Sequence, residues 1–189
     1  SGSMSLCLDH FTPRQAIIPR ADLLSKSYQA FIKKSAETNC QLITPHSGQT
    51  FPIEPGVTLE VLQAAIELNG YGRADDSGLV IRLHWHGWKI MFTGDAGFIT
   101  ETRLLASGVD LQADVIISGR NRGDYTGREE FYRAVSPEVI ISTNSEFPAN
   151  ESIPENWFTR TEALGITTVD QQQSGALTLT IKNQRLVLT

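Results

Sequence analysis

Residues 92–97, FTGDAG, place a carboxylate directly after a buried strand. The apolar β-type run Lys89–Phe92 stops at Thr93-Gly94, and Asp95 follows on a turn that the glycine loosens. An acid held there suits a metal ligand or a catalytic acid. The competing reading is a plain strand end, because strand-Thr-Gly-Asp alone describes many turns. The chain's 4 histidines are His10, His46, His84 and His86. His84-Trp85-His86 has the H-x-H spacing that sets two imidazoles on one face of a strand, as zinc would require. His86-Gly87 reads as a turn, however, which breaks the alternation before the second ring, and no third ligand follows nearby. The pair is expected not to be a metal site. His10, in LDHFTP, and His46, in TPHSG, are expected to be solvated or capping residues. Asp75 and Asp76 share one open loop. Acid–base work needs two carboxyl groups in different environments, so turn formation through Asx-type hydrogen bonds is their expected role.

The segment Ser118–Arg128, SGRNRGDYTGR, carries Arg120, Arg122 and Arg128 among glycines, between a strand and a helix. Sheets of α/β proteins place ligands at loops on the carboxyl ends of their strands, and guanidinium forks match phosphate. A solvated loop is the alternative. The Arg-Gly-Asp triplet inside it is too short a string to carry information.

These groups need elements to hold them. PRQAIIP (13–19) reads as a short buried strand, and Asp22 to Asn39 as a helix with Leu24, Tyr28, Phe31, Ile32 and Ala36 at three- and four-residue steps. Strands are expected at Cys40–Thr44 and, after the Pro55-Gly56 turn, at Val57–Gln63. Beyond the glycine-rich loop 70–78, Leu79–Trp85 and Trp88–Phe92 form a hairpin around His86-Gly87. Helices near Ile99–Ala106 and Arg128–Val135 then alternate with strands Asp114–Ile117 and Val139–Ser142. Thr126 and Glu129 have capping-box spacing, and Pro154 suits the first position of a further helix. Strand Ile166–Val169 and the pair Ala176–Ile181 and Leu186–Leu188 end the chain. The alternation, with hairpins at both ends, implies a layered α/β protein with a mixed sheet.

Bulk properties narrow the classes. With 189 residues, 40% hydrophobic and 20% charged, the chain is long enough for one folded domain and is not of disordered composition. Ser1-Gly2-Ser3-Met4 reads as a tag remnant before a start codon, so residues 5–189 are expected to be a single domain with native sequence upstream. The formal charge of −5 argues against a broad nucleic-acid-coating surface but leaves room for a local basic patch. Cys7 and Cys40 have neither metal spacing nor disulfide density. No apolar run nears the roughly 20 residues of a membrane span.

The order of features is more telling than any one of them. FTGD is followed by a helix with Leu104-Leu105, then ADVII, the Gly/Arg loop, a capped helix, SPEVIIS, EALGI and SGALTLTI; PRQAIIP, YQAFIKK and VTLEVLQ precede it. From about Leu8 to Ile181 this string resembles the C-terminal metallo-β-lactamase-like domain of the ComEC family of bacterial DNA-uptake channel proteins. The resemblance implies an αββα sandwich with mixed sheets, here partial and lacking the N-terminal histidine-motif portion. In that family an H-x-H-x-D-H cluster, the Asp of TGD, an H-H-G-S segment and a final His hold two metals. Of these only Asp95 is in place. Asp9-His10 lies too near PRQAIIP and corresponds to the helix after the first cluster. Gly119-Arg120-Asn121-Arg122-Gly123 stands at H-H-G-S, and Ile153-Pro154 near the final His. Arginine stays cationic and Asn is a poor ligand, so neither replaces zinc-binding histidine.

The resemblance thus implies a non-catalytic module of a competence protein, soluble itself but part of an inner-membrane protein. Asp95 would be a vestigial ligand position, and no cofactor is expected. Arg120, Asn121, Arg122 and Arg128 would contact single-stranded DNA or the remaining channel domains. The alternative is a nuclease or phosphodiesterase whose zinc or manganese site is completed by upstream histidines. A sandwich missing part of its sequence would also leave an apolar sheet face uncovered, which implies self-association.

Overall fold

In a computed structural model, residues 4–19, 26–64, 78–119, 126–143 and 153–189 are described. They form two compact units, Ser1–His46 and Ser47–Thr189.

In the first unit, helices α1 (Met4–Phe11) and α2 (Lys26–Glu37) accompany the parallel strands β1 (Gln15–Ile17) and β2 (Gln41–Ile43). Leu8, Ile18, Phe31 and Cys40 are its buried core, with Ala16 and Leu42 against them. Lys34 Nζ meets Asp9 Oδ1 at 2.7 Å and ties α1 to α2. As expected, Asn39 ends α2: its φ is 54°, a left-handed conformation that Asn tolerates. Cys7 is exposed, Cys40 buried, and both are free thiols.

The second unit is built on one mixed sheet, in the order β3 (Thr50–Glu54), β4 (Val57–Gln63), β5 (Val80–Trp85), β6 (Trp88–Gly94), β7 (Val115–Ser118), β8 (Val139–Ser142) and β9 (Thr167–Asp170). Strands β3 to β6 are antiparallel neighbours, and β6 to β9 are parallel. The His86-Gly87 turn has φ of 49° and 94°, the positive pair that a two-residue hairpin needs. Strand β3 was not expected from the sequence. Pro52 interrupts its apolar pattern, and the strand is admissible because it lies at the sheet edge.

Helices α3 (Phe98–Ala106), α4 (Glu129–Val135) and α5 (Glu155–Ala163) bring Leu104, Phe131, Val135 and Trp157 to one core with Leu62, Val80, Met91, Ile116 and Ile140 of the sheet. Trp157 is 0% exposed. Ile90, Val115 and Ile141 form a separate core with Leu179, Leu186 and Leu188 from the antiparallel hairpin of β10 (Leu179–Lys182) and β11 (Arg185–Leu188). The runs Val115–Ser118 and Val139–Ser142, both VIIS, supply residues to both cores, which is why they read as continuous rather than alternating apolar. The short helix α6 (Gln171–Ser174) follows β9 directly. No helix among the described residues is long and apolar enough to cross a membrane.

Two expected helix starts are corrected. The residue capping α4 is Arg128 and not Thr126, whose hydroxyl donates elsewhere. Pro154 caps α5 from outside, and the helix begins at Glu155.

Candidate functional site at the carboxyl edge of the sheet

The four parallel strands end level. Gly94 of β6 is in register with Ser118 of β7, Ser118 with Ser142 of β8, and Ser142 with Asp170 of β9. Asp95 therefore leaves the sheet at one end of a polar row, at the edge where α/β sheets hold ligands. Ser118, Ser142 and Asp170 are buried, whereas Asp95 and Thr143 are exposed. Gly119 N donates to Gly94 O at 2.8 Å and closes the turn around Asp95. A Cβ on Gly119 would fall on the Asp95 carboxylate and lie 2.9 Å from Gly94 O, so only glycine fits. Gly119→Ala is expected to push the two strand ends apart and to cost about 1–3 kcal/mol, as overpacking does. A urea titration measures that loss, and an unchanged midpoint would contradict it.

Behind this edge, α3 carries the buried carboxylate of Glu101, which is 3% exposed. It accepts from Thr126 Oγ1 at 3.0 Å, Gly127 N at 2.5 Å and Arg128 N at 3.0 Å. Burial pushes its carboxyl above the ordinary range, against these hydrogen bonds and the Arg128 charge, which pull it down. Thr126 gives its hydroxyl to this carboxylate, a stronger acceptor than a neutral group. Gly127, at φ 80°, has no room for a side chain: a Cβ would meet Tyr132 Oη at 2.6 Å and Trp157 Nε1 at 2.8 Å. Trp157 Nε1 itself donates to Tyr132 Oη at 3.2 Å. Burial and the nearby Glu101 charge raise the Tyr132 phenol above its ordinary range. The exposed Arg128 projects from this anchor, with Cζ over the Phe98 ring, 4.7 Å from its centroid.

A second polar cluster connects β4, β5 and the segment before β7. Arg82, opposite Glu60 in the register, donates to Glu60 Oε2 from Nε at 3.1 Å and from one terminal nitrogen at 2.8 Å. Its other terminal nitrogen donates to Asp110 O at 2.8 Å and Gln112 O at 2.9 Å. His84 Nε2 lies 2.9 Å from Glu60 Oε2. Burial alone would raise the Glu60 carboxyl, but hydrogen bonds from His84 and Arg82 and the Arg82 charge hold it below its ordinary value. His86 sits in the turn against Gly56, with no part in this cluster.

The two expected site residues that are described, Asp95 and Arg128, flank α3, with Asp95 before its start and Arg128 over Phe98, its first residue. Arg120, Asn121 and Arg122 lie outside the described residues, as do Asp75 and Asp76. Sequence reading missed Glu101, Ser142 and Asp170. Glu60 and Arg82 were also missed, although opposite charges at core-phase positions of neighbouring strands are a legible sign of a cross-strand pair.

Catalytic zinc takes three protein ligands as a rule. Among the described residues no group of three or more His, Cys, Asp and Glu comes together. The row offers Asp95, two serine hydroxyls and Asp170, whose Oδ1 already accepts from Gln172 N at 2.9 Å to cap α6. The described donor set does not fit a zinc or manganese centre.

No protein-family model matches the chain, and no curated protein sequence does. Among solved structures, it is similar to Igni18, a metallo hydrolase of the hyperthermophilic archaeon Ignicoccus hospitalis, with TM-score 0.50 and 14% identity over 97% of this chain and 82% of that one. The fold is of the metallo-β-lactamase type. The zinc-bound PqqB of Methylobacterium extorquens also matches, with TM-score 0.49 and 13% identity over 88% of this chain and 66% of that one. At 14% identity the likeness to Igni18 concerns the fold alone.

Proposed function

We propose that this chain is a non-catalytic metallo-β-lactamase-like module of a bacterial DNA-internalisation protein, the soluble part of an inner-membrane channel. Its role is to contact a single strand, through Arg128 and the loop 119–128. The observation that carries this reading is the level row Gly94–Ser118–Ser142–Asp170. Its strand ends keep the geometry of a ligand edge, yet the described donors besides Asp95 are hydroxyls and one carboxylate committed to a helix cap. The remaining channel domains and a second copy of the chain are further partners of this reading. A second reading rests on Asp95, whose exposed carboxylate at the end of β6 could join histidines supplied from upstream to hold zinc or manganese for phosphodiester cleavage.

Dialysis against zinc or manganese, followed by metal analysis and incubation with single-stranded DNA, separates the two when it is done on this chain and on a form extended upstream through an H-x-H-x-D-H segment. The proposed module retains the strand, takes up no stoichiometric metal and leaves the DNA intact. Stoichiometric metal together with cleavage that Asp95→Ala abolishes would select the nuclease.

A further inference from the structure

We infer that the guanidinium of Arg128, seated over Phe98, is a stacking surface for one unstacked base of a single strand. This inference rests on the single-strand reading above and goes beyond it, since that reading asks of the arginines only charge toward phosphate.

Three observations converge on Arg128. Its Cζ lies over the ring of the half-buried Phe98, 4.7 Å from the centroid, while the residue as a whole is exposed. The guanidinium is thus backed by an aromatic ring, on a residue that keeps much of its surface exposed. The backbone beneath it is fixed: Arg128 N and Gly127 N both donate to the buried Glu101, and Gly127 packs against Tyr132 and Trp157 too closely for any side chain. An anchored, backed side chain loses less conformational freedom on binding than a free surface arginine. The chain's formal charge of −5 gives little long-range attraction for nucleic acid, so binding must draw on short-range contacts.

Chemistry then names the partner. Guanidinium is planar and weakly hydrated, and it stacks on aromatic faces as an ammonium does not. Proteins that bind single strands place bases on aromatic rings and on arginine planes. In a duplex the base faces are already stacked on one another, so stacking on the exposed Arg128 selects a single strand over the same strand in duplex form.

Fluorescence anisotropy with a labelled oligothymidylate, its duplex with oligoadenylate, and an abasic oligomer of the same length tests this on the whole chain. Arg128→Lys keeps the charge and removes the plane. It is expected to weaken oligothymidylate binding about tenfold, the worth of one stacked base, with the salt dependence unchanged. Phe98→Leu should weaken it in the same direction, with thermal unfolding measured alongside to confirm that the variant is folded. The abasic oligomer should bind wild type and Arg128→Lys alike, which a merely structural role for Arg128 would not produce. If wild type binds the single strand and Arg128→Lys binds it equally well, the contact is to phosphate and the stacking inference fails while the module reading stands. If wild type binds none of the three probes, the module reading fails and the inference with it.

Discussion

Glu101→Ala is expected to destabilise the second unit by about 3–5 kcal/mol, because it strands the Thr126 hydroxyl and the Gly127 and Arg128 N–H groups at once. Thr126 and Gly127 are buried, so water cannot readily take over as acceptor. An orphaned buried donor costs about 1–3 kcal/mol. The gain from no longer burying a charge offsets part of this, since burial already raises the Glu101 carboxyl. Glu101→Gln keeps the shape and one carbonyl acceptor, and should lose less than half as much. Urea unfolding followed by tryptophan fluorescence reads the difference, Trp157 lying in the same core. Two variants of equal stability would show that neither the shape nor the carbonyl acceptor kept in Glu101→Gln contributes, and would contradict the stranded-donor account.

That effect sits on a residue whose role the sequence conceals. Strands announce themselves locally: Val57–Gln63, Val80–Trp85, Val115–Ser118 and Val139–Ser142 are apolar runs bounded by turns or polar loops, and each forms where expected to within a residue or two. Asp95 is legible for the same reason, as the residue past a strand end. Glu101 is not, because it looks like any charged residue of an amphipathic helix until α3 is laid beside the loop that enters α4. Ser118, Ser142 and Asp170 become a row only through the register of strands separated by whole helices. Thr126 shows how local logic fails. Its capping-box spacing with Glu129 is real, but the hydroxyl donates to a buried carboxylate from another helix, Arg128 takes the N-cap position, and Glu129 pairs with Arg133 at 2.6 Å.

Arg82→Met should cost a similar amount, about 3–5 kcal/mol, because it removes one partner of a buried ion pair and leaves the other behind. The Arg82 side chain is 4% exposed and that of Glu60 20%, so the abandoned carboxylate cannot fully rehydrate. The carbonyls of Asp110 and Gln112 lose their donor as well. Removing both charges, in Arg82→Met with Glu60→Leu, should recover much of the loss, since a well-packed apolar pair is often no worse than a buried ion pair. Recovery stays incomplete because the two carbonyls remain unpaired. The pH dependence gives a separate check. Glu60 is held below its ordinary value of 4.5 in the folded chain. Its contribution is therefore present above the unfolded pKa and lost as pH falls through the folded one. Wild type should lose stability on acidification below that ordinary value. Arg82→Met, with only His84 still drawing on Glu60, should lose less over the same range. A single variant as stable as wild type, with an unchanged acid limb, would mean that the Arg82–Glu60 contact contributes nothing net to the fold.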